Sequence, residues 1–138
     1  MDNALWLIFA VPEWYFSCLA RPFGGGLLTI IPAIGAFCLL VGLIIGLARP
    51  RWRLTIFLLP FFLTEILVAV SGFYRGKGGA AASYASDVAM LATVILSILG
   101  IYICKGTRIS ACLLSVFSIT YYLFGVFVAT MSFSDDWL

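Results

Sequence analysis

Histidine is absent from this sequence, and charged side chains are scarce. Among its 138 residues are eight lysines and arginines and six aspartates and glutamates, so charged residues make up 10% and apolar residues 64%. Soluble domains are about 25% charged. The chain therefore has too little polar surface for a soluble globule, as its mean hydropathy of +1.16 also indicates. A soluble monomeric enzyme, a disordered regulator and a nucleic-acid-binding domain are excluded on this ground.

Recognisable metal-binding and catalytic motifs are missing as well. Histidine is the usual haem ligand, a common zinc ligand and the commonest general base. The four cysteines, Cys18, Cys38, Cys104 and Cys112, form no C-x-x-C pair. The sequence also has no P-loop, nucleophile-elbow or zinc-protease motif. We therefore expect reduced, structural cysteines, no metal, no cofactor and no catalytic residue.

Long apolar stretches are abundant. A bilayer core about 30 Å thick is crossed by roughly 20 apolar helical residues, and four stretches approach that length: 27–48, 54–73, 88–104 and 109–131. Their apolar character is continuous and lacks the alternation of barrel strands, which predicts helices. The predicted fold is all-α: one transmembrane domain over residues 1–138, with a bundle of four helices in the lipid bilayer.

Short connections constrain how these helices are arranged. The links 49–53 and 105–108 are so short that the flanking helices should lie antiparallel, which predicts two hairpins, 27–73 and 88–131. The connection 74–86 is rich in Gly, Ala and Ser and is predicted to be flexible, either a tether or a mobile loop that contacts a partner. For residues 3–20, interrupted by Pro12 and Glu13, we expect a broken or interfacial helix, with a fifth span as the alternative.

The basic residues predict an orientation for this multi-pass protein. Five of the eight lie in the two short links, which share one face of the membrane: Arg49, Arg51, Arg53, Lys105 and Arg108. Because cytoplasmic loops carry an excess of Lys and Arg, these links are predicted to be cytoplasmic or topologically equivalent. The C-terminus then lies on the opposite side.

Small residues recur at helical spacing in three of the predicted spans. In lipid, helices associate through close packing at such residues. The stripes are Gly35, Cys38, Gly42 and Gly46; Ala89, Thr93, Ser97, Gly100 and Cys104; and Ala111, Ser115, Ser118, Gly125 and Ala129. Two interpretations are open: the stripes pack inside one bundle, or one of them faces another subunit.

Glu65 is the most informative charged residue. It is the eleventh residue of the span 54–73, which at 1.5 Å per residue places it near the bilayer midplane. An ionised acid at that depth costs about 2.5–3.5 kcal/mol on insertion scales, so it must be protonated, hydrated or paired. Glu65 is therefore either part of a proton or cation path or a structural hydrogen-bonding group.

The segment Pro12-Glu13-Trp14-Tyr15-Phe16 resembles the Pro-Glu-Trp-Tyr motif of the cytochrome b family, which includes subunit IV of the cytochrome b6f complex. An arginine, Arg21, and a glycine run at 24–26 follow in a similar order. The resemblance implies that Glu13 lies at a quinol-oxidation site. It makes Glu13, Trp14 and Arg21 candidate quinone or interface contacts, although the sequence has no histidine to hold haem.

Three functions are compatible with these features. The main hypothesis is a non-catalytic small subunit of a larger membrane complex, acting in assembly or stabilisation. The first alternative is a small oligomeric transporter or proton- or ion-conducting protein that uses Glu65. The second is a quinone-contacting redox subunit. The expected partners are the lipid bilayer and other membrane subunits, in a hetero- or homo-oligomer, and no nucleic acid.

Overall fold

The structure is a computed structural model that describes residues 2–20, 27–48, 52–74 and 80–134. Over these ranges the chain consists of helices and short turns and has no strand. The five α-helices are α1 (Asp2–Ala20), α2 (Leu27–Ala48), α3 (Leu58–Phe73), α4 (Ala80–Ile103) and α5 (Arg108–Ser134), and a 3-10 helix (Trp52–Phe57) precedes α3. Four segments are long and apolar enough to cross a membrane: Thr29–Leu47, Arg53–Phe73, Tyr84–Ile103 and Arg108–Ser134. The all-helical fold with four such helices is confirmed, and it suggests a lipid environment.

Helix α5 is the centre of the bundle. It packs against α2, α3 and α4, while α1 packs mainly on α3 and α2. In the apolar segment of α5, 56% of the residues are buried inside the protein, against 17% in that of α4. Helix α4 is therefore peripheral, and most of its side chains face outward.

Helix α1 is continuous through Pro12, so the break expected at this proline does not form. Proline removes one backbone donor from a helix and usually bends or ends it. Here buried residues on both sides of Pro12 fix the helix against the bundle, with Leu7 and Val11 before it and Tyr15 after it in one core cluster. The packing of these residues compensates for the missing hydrogen bond.

The second predicted span, 54–73, is not one uniform helix. Its first turns, Trp52–Phe57, are a 3-10 helix, and α3 begins only at Leu58. The first four N–H groups of an α-helix have no partner within the helix. With the start at Leu58, Pro60 falls among these positions, where its missing N–H leaves no carbonyl unpaired.

The connection 74–86 is shorter than predicted, because α4 begins at Ala80 and not at Val88. Residues 80–86 are therefore helical, and the prediction of a flexible connection is wrong for them. The sequence at this point has three consecutive alanines, the best helix formers. The Ser86 carbonyl also accepts a hydrogen bond from Tyr122 on α5, which holds the start of α4 against the bundle.

The consecutive helices differ in how closely they pack. Helix α4 runs beside α5, with Ser86 near Tyr122 and Cys104 in one cluster with Ala111. By contrast, α2 packs on α5 and α1. Within the described ranges, the pair α2 and α3 is not one of the main helix contacts. A groove separates α2 from α3 in place of the close contact that a tight hairpin would give.

Candidate functional site

The candidate site is centred on Glu65 of α3 and Tyr121 of α5. Glu65 is only 8% exposed and Tyr121 is fully buried. The Tyr121 hydroxyl donates a hydrogen bond to Glu65 Oε1. Both residues lie close to the middle of their helices, so the hydrogen bond joins α3 to the central helix α5 about halfway along each of them.

Aromatic rings enclose this pair. Phe61 stacks on the Tyr121 ring at a centroid distance of 4.9 Å, and Tyr15 meets the same ring edge-on at 5.1 Å. Phe117 and Phe124 pack around Tyr15 at 6.0 and 5.5 Å. The site is thus a small polar centre inside an aromatic cluster contributed by α1, α3 and α5.

A second hydrogen bond connects α1 to the same region. Tyr15 is fully buried, and its hydroxyl lies 3.0 Å from Thr120 Oγ1 on α5. Both hydroxyls lie against Gly35 of α2, where a Cβ atom would overlap them. The absence of a side chain at Gly35 lets α2 approach, so four helices meet at this centre.

The chemistry of the site depends on the second carboxyl oxygen. Glu65 Oε2 is buried and has no hydrogen-bond partner among the described residues. An ionised carboxylate in apolar surroundings is costly unless it is paired. One tyrosine donor meets only part of that need, so Oε2 is stable carrying a proton or beside a cation or water. The described ranges contain no group of three or more Cys, Asp or Glu side chains that could hold a metal.

The small-residue stripes lie inside the bundle. Every stripe member is buried except Ala89, which is partly buried: Gly35, Cys38, Gly42 and Gly46 on α2; Thr93, Ser97, Gly100 and Cys104 on or just after α4; and Ala111, Ser115, Ser118, Gly125 and Ala129 on α5. The glycines among them receive larger side chains from neighbouring helices, and Cys104 and Ala111, which belong to different stripes, share one core cluster. Gly100 accepts the Phe57 ring, and Gly125 accepts the methyl group of Thr64.

Backbone polar contacts accompany this packing. Ser110 Oγ donates to the Gly42 carbonyl at 2.6 Å, which joins α5 to α2. Ser115 and Ser118 donate to carbonyls of their own helix. On α4, Thr93 Oγ1 and Ser97 Oγ are buried without a hydrogen-bond partner in the described part of the chain.

Two of the three candidate contacts from the cytochrome b resemblance, Glu13 and Trp14, lie among the described residues. Glu13 is exposed, and Trp14 meets Trp6 edge-to-face at 5.3 Å. Arg21 lies outside the described residues. Tyr15, which was not singled out as a site residue, is the member of this segment that enters the buried aromatic cluster.

Two of the basic residues predicted to be cytoplasmic, Arg49 and Arg51, also lie outside the described ranges. Arg53, Lys105 and Arg108 are exposed. Arg53 Nη1 donates to the Ile103 carbonyl at 3.4 Å, and Lys105 Nζ lies 5.4 Å from the centre of the Tyr102 ring. Arg53, the last residue of the first link, thus lies beside the end of α4, where the second link begins.

Tyr121 and Tyr15 were missed from the sequence because the chain has six tyrosines and nothing in their pattern separates these two. A usable signal exists for Tyr121. It lies at the middle of the last span, as Glu65 lies at the middle of its own, so two spanning helices would bring them to the same depth. No protein-family model, curated protein or solved structure matches the chain.

Proposed function

We propose that this protein is a non-catalytic small subunit of a larger membrane complex, acting in assembly or stabilisation. In this proposal α2 to α5 cross the bilayer as two consecutive antiparallel hairpins. The links 49–53 and 105–108 face the cytoplasm or its equivalent, because they hold most of the basic residues. The observation that carries the proposal is the open groove between α2 and α3.

The groove has a volume of about 520 Å³ and is lined almost wholly by apolar side chains. Its floor is formed by Leu114 and Phe117 of α5. On its rims Leu43 of α2 is 49% exposed and Leu58 at the start of α3 is 53% exposed. It is therefore open at the side, toward the region that lipid or another helix would occupy.

We infer that a transmembrane helix of a partner subunit fills the groove. Bulky apolar side chains gain little by leaving lipid tails for another apolar surface, so helices in membranes associate where close packing is available. The groove is recessed between its rims down to Leu114 and Phe117 of α5, so a helix that presents large side chains can insert them between the rims.

Photo-crosslinking in the native membrane tests this proposal. A photoreactive amino acid at Leu43 or Leu58 should give a discrete protein adduct, whereas the same probe at Ile98 of α4 should label lipid. Ile98 is a matched control because it is 62% exposed on an apolar helix. Lipid adducts alone from both groove positions would contradict the proposal, as would equal protein labelling from Ile98.

A second candidate function, a small oligomeric transporter or a proton- or ion-conducting protein, is supported by one observation. Glu65 Oε2 is buried near mid-depth without a hydrogen-bond partner in the described ranges, and buried intramembrane acids commonly belong to ion or proton paths. In proteoliposomes, Glu65→Gln should abolish flux while the amide oxygen still accepts the hydrogen bond from Tyr121. Unchanged flux would rule this function out.

A further inference from the structure

We propose that the cavity between the 3-10 helix and the C-terminal end of α4 binds the headgroup of an anionic phospholipid. This inference rests on the membrane-spanning arrangement but not on the partner groove. The cavity and the groove between α2 and α3 are lined by different residues, apart from Thr55, which contributes to both.

The cavity has a volume of about 830 Å³ and joins a basic rim to an apolar floor. Its two charged residues are Arg53 and Lys105, and both are exposed. The apolar part comes from Ile56, Leu59 and Ile103. None of the described residues that line it is acidic, so the charge of this lining complements a phosphate group.

Contacts within the protein hold both basic side chains at the rim. Arg53 Nη1 donates to the Ile103 carbonyl, which belongs to the last residue of α4 and would otherwise repel an anion. Lys105 Nζ lies over the Tyr102 ring at 5.4 Å, an attraction between a cation and the face of an aromatic ring. Arg53 keeps further N–H groups for a ligand, since guanidinium has five, and they suit phosphate oxygens.

The position of the cavity favours a lipid over free phosphate. The segments Arg53–Phe73 and Tyr84–Ile103, each long enough to span a membrane, begin and end here, so the basic rim lies where a spanning helix meets the headgroup layer. Leu59 is 50% exposed and lies one turn deeper along the chain than Thr55, where an acyl chain would contact it. Basic pockets between transmembrane helices on the cytoplasmic side are known to bind anionic headgroups.

The test is native mass spectrometry of the detergent-solubilised full chain, titrated with phosphatidylglycerol or phosphatidylcholine of the same acyl chains. Each basic residue near the surface contributes a factor of about five to binding of anionic lipid. We expect Arg53→Gln and Lys105→Gln each to weaken phosphatidylglycerol binding about fivefold, and the double variant about 25-fold. Arg53→Lys should retain most of the affinity, because it keeps the charge.

Arg108→Gln is the matched control. Arg108 is exposed at the start of α5 and does not line the cavity, so its loss should weaken binding less than the loss of Arg53 or Lys105 does. An equal loss from Arg108→Gln would overturn the proposal, because it would indicate diffuse attraction. Equal binding of phosphatidylcholine by the wild type, or unchanged binding by the double variant, would also overturn it.

Competition with inorganic phosphate separates the two sources of the anion. Inorganic phosphate cannot contact Ile56 or Leu59, so at equal concentration it should leave the bound phosphatidylglycerol in place. Displacement by inorganic phosphate as effective as by phosphatidylglycerol itself would refute the lipid assignment. Circular dichroism of each variant, expected to match the wild type because the altered side chains are exposed, checks that the helices remain intact.

Discussion

The hydrogen bond between Tyr121 and Glu65 gives the sharpest test of the bundle centre. In Tyr121→Phe the aromatic ring remains, so its stacking on Phe61 at 4.9 Å and its contact with Tyr15 at 5.1 Å are kept. The variant loses the hydroxyl that donates to Glu65 Oε1. The other carboxyl oxygen, Oε2, has no hydrogen-bond partner among the described residues. Hydrogen bonds between membrane helices contribute about 0.6 kcal/mol on average and up to about 1.7 kcal/mol. We expect a loss of about 1–2 kcal/mol, near the upper end, because the carboxyl is left without a donor.

A double-mutant cycle isolates this interaction. Glu65→Leu removes the acceptor at similar volume, so in that background Tyr121→Phe should cost less than about 0.5 kcal/mol or stabilise the fold slightly. The measurement is reversible unfolding by SDS in mixed micelles, followed by circular dichroism. Tyr122→Phe is the control, because Tyr122 donates to the Ser86 carbonyl and should cost the same in both backgrounds. Equal losses from Tyr121→Phe with and without Glu65 would refute the coupling.

Three further predictions concern packing and accessibility. Gly125→Ala places a methyl group against the Thr64 methyl and should destabilise the bundle by about 1–3 kcal/mol in the same unfolding assay. Adding Thr64→Ser removes the Thr64 methyl and should restore most of the lost stability. If the second substitution restores nothing, this contact is contradicted. Ser110→Ala removes the 2.6 Å bond to the Gly42 carbonyl and should cost about 0.6 kcal/mol, and a cost near zero would show that this bond adds nothing. Among the cysteines with described side chains, Cys112 is exposed, whereas Cys38 and Cys104 are buried. Maleimide labelling mapped by mass spectrometry should therefore modify Cys112 before Cys38 and Cys104. Faster labelling of Cys38 or Cys104 would refute the packing of these two residues inside the bundle.

The positions of the helices were predictable because hydropathy and length impose them. The prediction 27–48 coincides with α2, and 109–131 lies within α5. The neighbours of each helix were not predictable. A stripe of small residues marks the face that is buried but not the side chain that covers it, and Gly42 is covered by Leu113 and Leu114 of α5. The 3-10 turns before α3 were missed because hydropathy does not distinguish the two helix types.

The candidate site was predictable only in part, for a related reason. An acid within an uncharged run is conspicuous in the sequence, so Glu65 was identified. Its donor, Tyr121, belongs to a residue type that is common at membrane interfaces and in protein cores alike, and only the packing of α3 against α5 selects it. Within the segment that resembles the cytochrome b motif, Glu13 is exposed and Tyr15 faces the interior, and the motif itself does not indicate which of the two is buried.

The two roles open to Glu65 make opposite demands on one substitution. If the carboxyl serves only to join α3 to α5, glutamine replaces it well, since its amide oxygen accepts the Tyr121 hydrogen bond and its volume is nearly the same. If the carboxyl carries a proton or meets a cation, glutamine cannot do so, because an amide does not titrate and bears no charge. Glu65→Gln should therefore preserve stability in either case and should stop flux only in the second. Tyr121→Phe should lower stability in either case, so the flux of Glu65→Gln is the measurement that separates a structural carboxyl from a conducting one.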